Sequence, residues 1–141
     1  MNYARIGLAA LGAFAAYFVF GFLTFGLLPS LRNEFLKYPA VYRPQSEMMK
    51  MMPLGMGSML LAFLLLGVLY ALAFQGGSGV AEGARFGILI GLFFDCVFVL
   101  HNYVNLNIGL TLTIQQAVAY LIQWTLIGLV IGLIYRPAAH S

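Results

Sequence analysis

Four long apolar runs constrain this chain more than any other feature. A run of about 20 residues, wound as an α-helix with a rise of 1.5 Å per residue, crosses the hydrocarbon core of a bilayer. Because 62% of the residues are apolar and only 8% are charged, lipid rather than water is the expected solvent. We therefore predict an all-α integral membrane protein, a four-helix transmembrane bundle in one domain. Its predicted spans are residues 6–28, 54–74, 86–104 and 113–135.

The segment between the first two runs, residues 29–53, mixes charges of both signs with aliphatic and aromatic residues. Such a mixture is typical of a segment that lies at the membrane surface. Pro29, Pro39 and Pro44 divide it into short pieces. We expect a partly helical interfacial loop here, and short polar turns between the later spans, so that neighbouring helices run antiparallel.

Basic residues at the span ends indicate orientation, because cytoplasmic ends carry an excess of Lys and Arg. Arg5 and Arg136 adjoin their spans directly, while Glu34 and Glu47 dilute the charge of the interfacial loop. We expect both termini in the cytoplasm. The net charge of +3 is spread over span ends, so nucleic-acid binding is not indicated. In this orientation one set of basic residues is cytoplasmic and the other lies on the opposite side. The cytoplasmic set is Arg5, Arg85 and Arg136, and the opposite set is Arg32, Lys37, Arg43 and Lys50.

Small residues at intervals of four predict which helix faces meet, because helices in lipid associate through close backbone approach. In the third run Gly83, Gly87 and Gly91 form such a series, and Asp95 continues it. At about 100° per residue, three further polar residues share this arc while Cys96 points away. These three residues are His101, Asn102 and Asn105.

The first and fourth runs show the same division of faces. In the fourth, Gly128 and Gly132 form a separate GxxxG face, which we expect to be free for a homo-oligomer contact. A polar stripe of that helix holds Gln116, Tyr120 and Gln123, and a small-residue seam of the first holds Ala10, Ala13, Tyr17, Gly21 and Thr24.

Depth in the membrane suggests where these polar groups meet. Antiparallel spans bring Tyr17, Asp95 and Gln123 near the bilayer centre. His101, Asn102, Gln116 and Tyr120 fall in the half that borders the interfacial loop. We therefore predict a polar cavity that opens towards that loop and ends at Asp95. Its function would be to bind or pass a small solute or ion, and proton coupling through Asp95 and His101 is one form of this hypothesis.

A purely structural role is the main alternative. A neutral Asp95 that hydrogen-bonds Gln123 or Tyr17 would fix helix register, and the protein would then be a non-catalytic accessory or assembly subunit of a larger membrane complex. His101 can equally be a satisfied residue near the interface. Catalytic motifs such as HExxH, GxSxG or a P-loop do not occur, so no catalytic residue is predicted.

Six of the seven methionines crowd into the stretch 48-MMKMMPLGMGSM-59. On a continuous helix Met48, Met52, Met56 and Met59 would share one side, and thioethers suit Cu(I). Copper uptake transporters have similar MxxxM pairs, but this chain lacks their metal-binding extensions. Pro53 would interrupt such a ladder, and methionine is a common apolar filler. Filling is therefore the favoured interpretation, and soft-metal handling is a minor alternative.

The segment EGARFGILIGLFFDCVFVLHN, followed by a span that closes in GLVIGLIYRP, resembles small bacterial four-span membrane proteins grouped as domains of unknown function. The resemblance rests on Glu82–Gly83, the glycine series and Arg136–Pro137. It implies the four-span architecture only, and no activity or cofactor. We expect the protein in a bacterial inner membrane.

Overall fold

The computed structural model describes residues 1–135, and these are helical almost throughout. Four helices are long and apolar enough to cross a membrane, which confirms the predicted all-α transmembrane bundle. The third of them, Gly79–Asn105, is continuous but changes its winding along its length. The elements are α1 (Tyr3–Leu27), α2 (Pro29–Leu36), α3 (Gln45–Ala73), α4 (Gly79–Phe94), a π-helical segment (Asp95–Leu100), α5 (His101–Asn105) and α6 (Leu110–Ile134).

The interfacial loop is shorter than the sequence predicts, because α3 begins at Gln45 and residues 45–53 are helical. Met, Gln, Lys and Glu are good helix formers, and α3 continues through Pro53. The third span likewise begins at Gly79 rather than at residue 86, so Glu82 and Arg85 lie in its first turns. The basic residue Arg136 lies outside the described residues.

Helix α6 occupies the middle of the bundle. It packs against α1 on one face and against α4 and the π-helical segment on another, whereas α3 packs chiefly on α1. Helix α2 lies across α1 and α6. Since the long helices alternate in direction, α2 and the turn before α6 lie on the same side of the membrane, which we call the roof side.

Helices α4 and α6 meet backbone to backbone through their glycines. A methyl group added at Gly83 would stand 2.5 Å from the Gly128 carbonyl oxygen, and one added at Gly132 would stand 2.9 Å from the Gly83 Cα. Only glycine permits this approach along the buried face. The Gly128 and Gly132 face is therefore not free for an oligomer contact as expected, because α4 of the same chain covers it. The buried glycines of α4 and α6 are Gly83, Gly87, Gly91, Gly128 and Gly132.

Helix α3 is attached through its second half. Phe63 is fully buried, and its ring centroid lies 6.4 Å from that of Phe14, 5.6 Å from Tyr17 and 6.1 Å from Trp124. One helical turn later Gly67 lies against Ile6 of α1. By contrast, the first half of α3 is exposed and in a membrane would face lipid.

Candidate functional site

A cavity of about 100 Å³ lies between α1, α2 and α6. Five of its lining residues are polar, and all five had been placed by the sequence on the inward stripes of α1 and α6. The remaining lining residues are apolar or glycine. The polar residues are Tyr17, Thr24, Gln116, Tyr120 and Gln123, and the others are Phe20, Gly21, Phe25, Leu31, Phe35 and Ala119.

The spacing of residues on the two helices explains the space. Gly21 lies between Tyr17 and Thr24 on one wall, and Ala119 lies between Gln116 and Gln123 on the other. Residues three or four apart share a helix face. Because Gly and Ala have little or no side chain, the larger polar residues around them enclose a gap.

Two glutamines are the most buried polar groups of the lining. Gln116 is 6% exposed and Gln123 is 4% exposed. The Gln123 Nε2 donates a hydrogen bond to the main-chain oxygen of Tyr17 at 3.1 Å, which ties α6 to α1. The Gln123 Oε1 and the Tyr17 and Tyr120 hydroxyls show no hydrogen bond to residues 1–135. They are not among the enclosed atoms that lack a partner, so they are open to the cavity. These groups are therefore available to a bound molecule.

Helix α2 and the residues after it cover the roof side of the cavity. Leu31 packs with Ile108 and Leu112 at the start of α6, and the Tyr38 hydroxyl accepts a hydrogen bond from the Gly109 N–H at 2.9 Å. Burial raises the pKa of the Tyr42 phenol, and a hydrogen bond with Gln116 opposes that rise. The loop that the sequence placed at the interface is thus the cover of the site.

Few features of the sequence predict this cover. The aromatic residues Phe35, Tyr38 and Tyr42 recur at intervals of three and four, which is the one signal that they share a face. The ring centroid of Phe35 lies 5.2 Å from that of Phe25 in α1 and 4.8 Å from that of Tyr42.

Asp95 does not line the cavity, which corrects the prediction that the cavity ends there. It begins the π-helical segment of the third span, and that span packs on the face of α6 that is turned away from α1. Helix α6 therefore separates Asp95 from Tyr17. The Asp95 Oδ1 is buried and has no hydrogen-bond partner within residues 1–135.

His101 and Asn102 are also absent from the cavity lining. The sequence placed them on the Asp95 face by assuming α-helical winding. The π-helical segment Asp95–Leu100 has i→i+5 hydrogen bonds, and one inserted residue turns everything after it by roughly 100°. His101 is consequently exposed, while Asn102 is half-buried. No residue in this segment predicts the change from α-helical to π-helical winding.

The methionines lie outside the cavity as well. Met48, Met52 and Met56 are exposed along α3, and Met59 is half-buried against the core. Contrary to the expectation from sequence, Pro53 does not interrupt the helix that carries them. The four thioethers thus belong to one continuous helix, and a soft-metal role for them stays a prediction.

Comparisons with known proteins give no further guide. No protein-family model, no curated protein and no solved structure matches this chain. Any function therefore has to be inferred from the cavity and its surroundings.

Proposed function

We propose that this protein binds a small solute in the cavity between α1, α2 and α6, and passes it to or from the roof side of the membrane. The observation that carries the proposal is the position of Gln123. It is nearly fully buried, lies at the middle of α6, Leu110–Ile134, and has a carbonyl oxygen that no other described residue uses.

Burying a polar side chain costs free energy unless the side chain forms hydrogen bonds. Polar side chains buried in a membrane protein are normally paired or face a cavity. Hydrogen bonds between membrane helices contribute only about 0.6 kcal/mol on average, and the glycine contact already holds α6 against α4. A solute-binding role accounts for the clustered hydroxyls and amides better than helix packing alone.

The proposal contains no proton path. Asp95 and His101, the two titrating groups considered from the sequence, lie outside the cavity lining. The solute site is therefore assigned to Tyr17, Gln116, Tyr120 and Gln123, with Thr24 at its edge. The Thr24 hydroxyl donates to the Phe20 main-chain oxygen at 2.7 Å.

Blocking the cavity tests the proposal. Ala119→Phe should fill the space, and the permeability of proteoliposomes to small solutes such as glycerol, measured by stopped-flow light scattering, should fall to that of protein-free liposomes. Val118→Phe is the matched control, because Val118 precedes Ala119 on α6 and is 55% exposed. Equal permeability of both variants and the unmodified protein would contradict passage through this cavity.

An accessory role is a second candidate, and one observation favours it. Asp95 is half-buried in the third span. Its Oδ1 is enclosed without a partner within residues 1–135, but its Oδ2 is not among the enclosed atoms, so a neighbouring subunit in a homo-oligomer or larger complex would pair with the carboxyl group through Oδ2. Asp95→Asn keeps the size of the side chain but removes its charge. If the solute role is correct, this variant keeps its permeability; if the accessory role is correct, it loses assembly, as seen by native mass spectrometry.

The cellular setting is part of the same proposal. We place the protein in a bacterial inner membrane with both termini in the cytoplasm, so that the roof side faces outwards. The support is the resemblance to bacterial four-span proteins and the position of Arg5 beside α1. A terminal tag that is accessible only from outside the cell would reverse this orientation.

Soft-metal handling is kept as a minor alternative. Its support is the placement of Met48, Met52, Met56 and Met59 on one continuous helix. Retention of Ag(I), a stable substitute for Cu(I), by the purified protein would favour it. Loss of retention in a Met52→Leu, Met56→Leu variant would assign the metal to these residues.

A further inference from the structure

The lining of the cavity contains no charged side chain. The nearest part of the cover does carry charges, since Lys37 and Glu34 form an ion pair on the α2 side, but neither lines the space. An ion that moves from water into this cavity loses its hydration, and no oppositely charged side chain of the lining compensates for that loss. The lining therefore disfavours ions of either sign.

The polar groups that are present favour a different ligand. A tyrosine hydroxyl both donates and accepts, and a glutamine amide offers one acceptor oxygen and two N–H donors. The Tyr17 and Tyr120 hydroxyls and the Gln123 Oε1 show no hydrogen bond to the described residues, and all three side chains line the cavity. A complementary molecule must both donate and accept hydrogen bonds.

The volume limits the size of that molecule. A cavity of about 150 Å³ is large enough for benzene, and this one measures about 100 Å³. The aromatic rings of Phe20, Phe25 and Phe35 form the apolar part of the wall. The site therefore suits a compact ligand of roughly four to six heavy atoms, by comparison with benzene.

From these three observations we infer that the ligand is a small uncharged amide or polyol, and that ions are excluded. The inference rests on the proposed solute cavity and specifies its substrate class. The Gln123 Oε1 accepts from the ligand, and the Tyr17 and Tyr120 hydroxyls donate to or accept from it. Gln116, nearer than Gln123 to the start of α6, is the lining amide closest to the roof side.

Nuclear magnetic resonance of the glutamine side-chain amides tests the inference directly. The purified full chain, labelled with ¹⁵N at glutamine, is titrated with acetamide and glycerol, and with acetate and guanidinium as charged counterparts of similar size. Acetamide or glycerol should shift the Gln116 and Gln123 signals saturably, and the two ions should not. Gln75 and Gln45, which lie outside the membrane core, serve as internal controls.

The possible results distinguish a wrong ligand class from a wrong solute cavity. Saturable shifts with acetate or guanidinium equal to those with acetamide would overturn the neutral class while the solute cavity stands. Shifts with none of the four probes would overturn both. Tyr120→Phe keeps the ring but removes the hydroxyl, and we expect it to weaken acetamide binding about tenfold; an unchanged affinity would overturn the role of that hydroxyl.

Discussion

Gly83→Ala is expected to lower the free energy of unfolding by about 1–3 kcal/mol, the usual cost of forcing an extra group into a packed contact. The new methyl carbon would stand 2.5 Å from the Gly128 carbonyl oxygen. The obstacle is backbone, so no side chain can rotate away, and α4 must move off α6. Unfolding in mixed detergent micelles, followed by circular dichroism, measures the change.

Gly57→Ala is the matched control for this substitution. Gly57 also lies within a long helix, but a methyl group there would meet nothing within 4 Å. The control should unfold like the original protein or at slightly higher denaturant concentration, because Ala is the better helix former. Equal destabilisation by both substitutions would mean that α4 and α6 are not in backbone contact.

Phe63→Ala should be more damaging, by about 3–5 kcal/mol, as for other buried aromatic residues. Phe63 is fully buried and is the point where α3 meets α1 and α6. Its loss leaves a cavity beside the rings of Phe14, Tyr17 and Trp124. Lipid cannot fill that space without separating the helices, so the missing contacts are not replaced.

Phe63→Ala should also affect the candidate site. The ring centroids of Phe63 and Tyr17 lie 5.6 Å apart, and Tyr17 lines the cavity. We expect Phe63→Ala to impair solute passage as well as stability. Leu61→Ala is the control, since Leu61 is 59% exposed on the same helix. A Phe63→Ala protein as stable as the Leu61→Ala protein would show that α3 is not held through this residue.

Much of the architecture follows from sequence because a bilayer demands it. Apolar length predicts the spans, and the period of four in Gly83, Gly87 and Gly91 predicts a close-packing face. The spacing of the glycines does not predict which helix packs against that face. The spacing of Gly128 and Gly132 predicts a free surface, but the two glycine faces of one chain fit each other.

The candidate site was predictable on two helices and not on the third. Tyr17 and Gln123 lie on regular α-helices, for which 100° per residue holds over the whole length. His101 follows a π-helical segment, so the angle from Asp95 no longer holds. Nor could spacing show that α6 lies between α1 and the third span, which keeps Asp95 out of the cavity.

Solute binding in the cavity requires that water reach the space beside Gln123. Since Cys96 is the one cysteine of the chain, a Cys96→Ser protein offers a clean background for Ala119→Cys in the cavity and Ile122→Cys, 49% exposed on the outer face of α6. A membrane-impermeant methanethiosulfonate reagent, which reacts with thiolates in water, should modify Ala119→Cys from the roof side only and leave Ile122→Cys unmodified. If Ala119→Cys is as inert as Ile122→Cys, the cavity is sealed and the solute-binding function is contradicted.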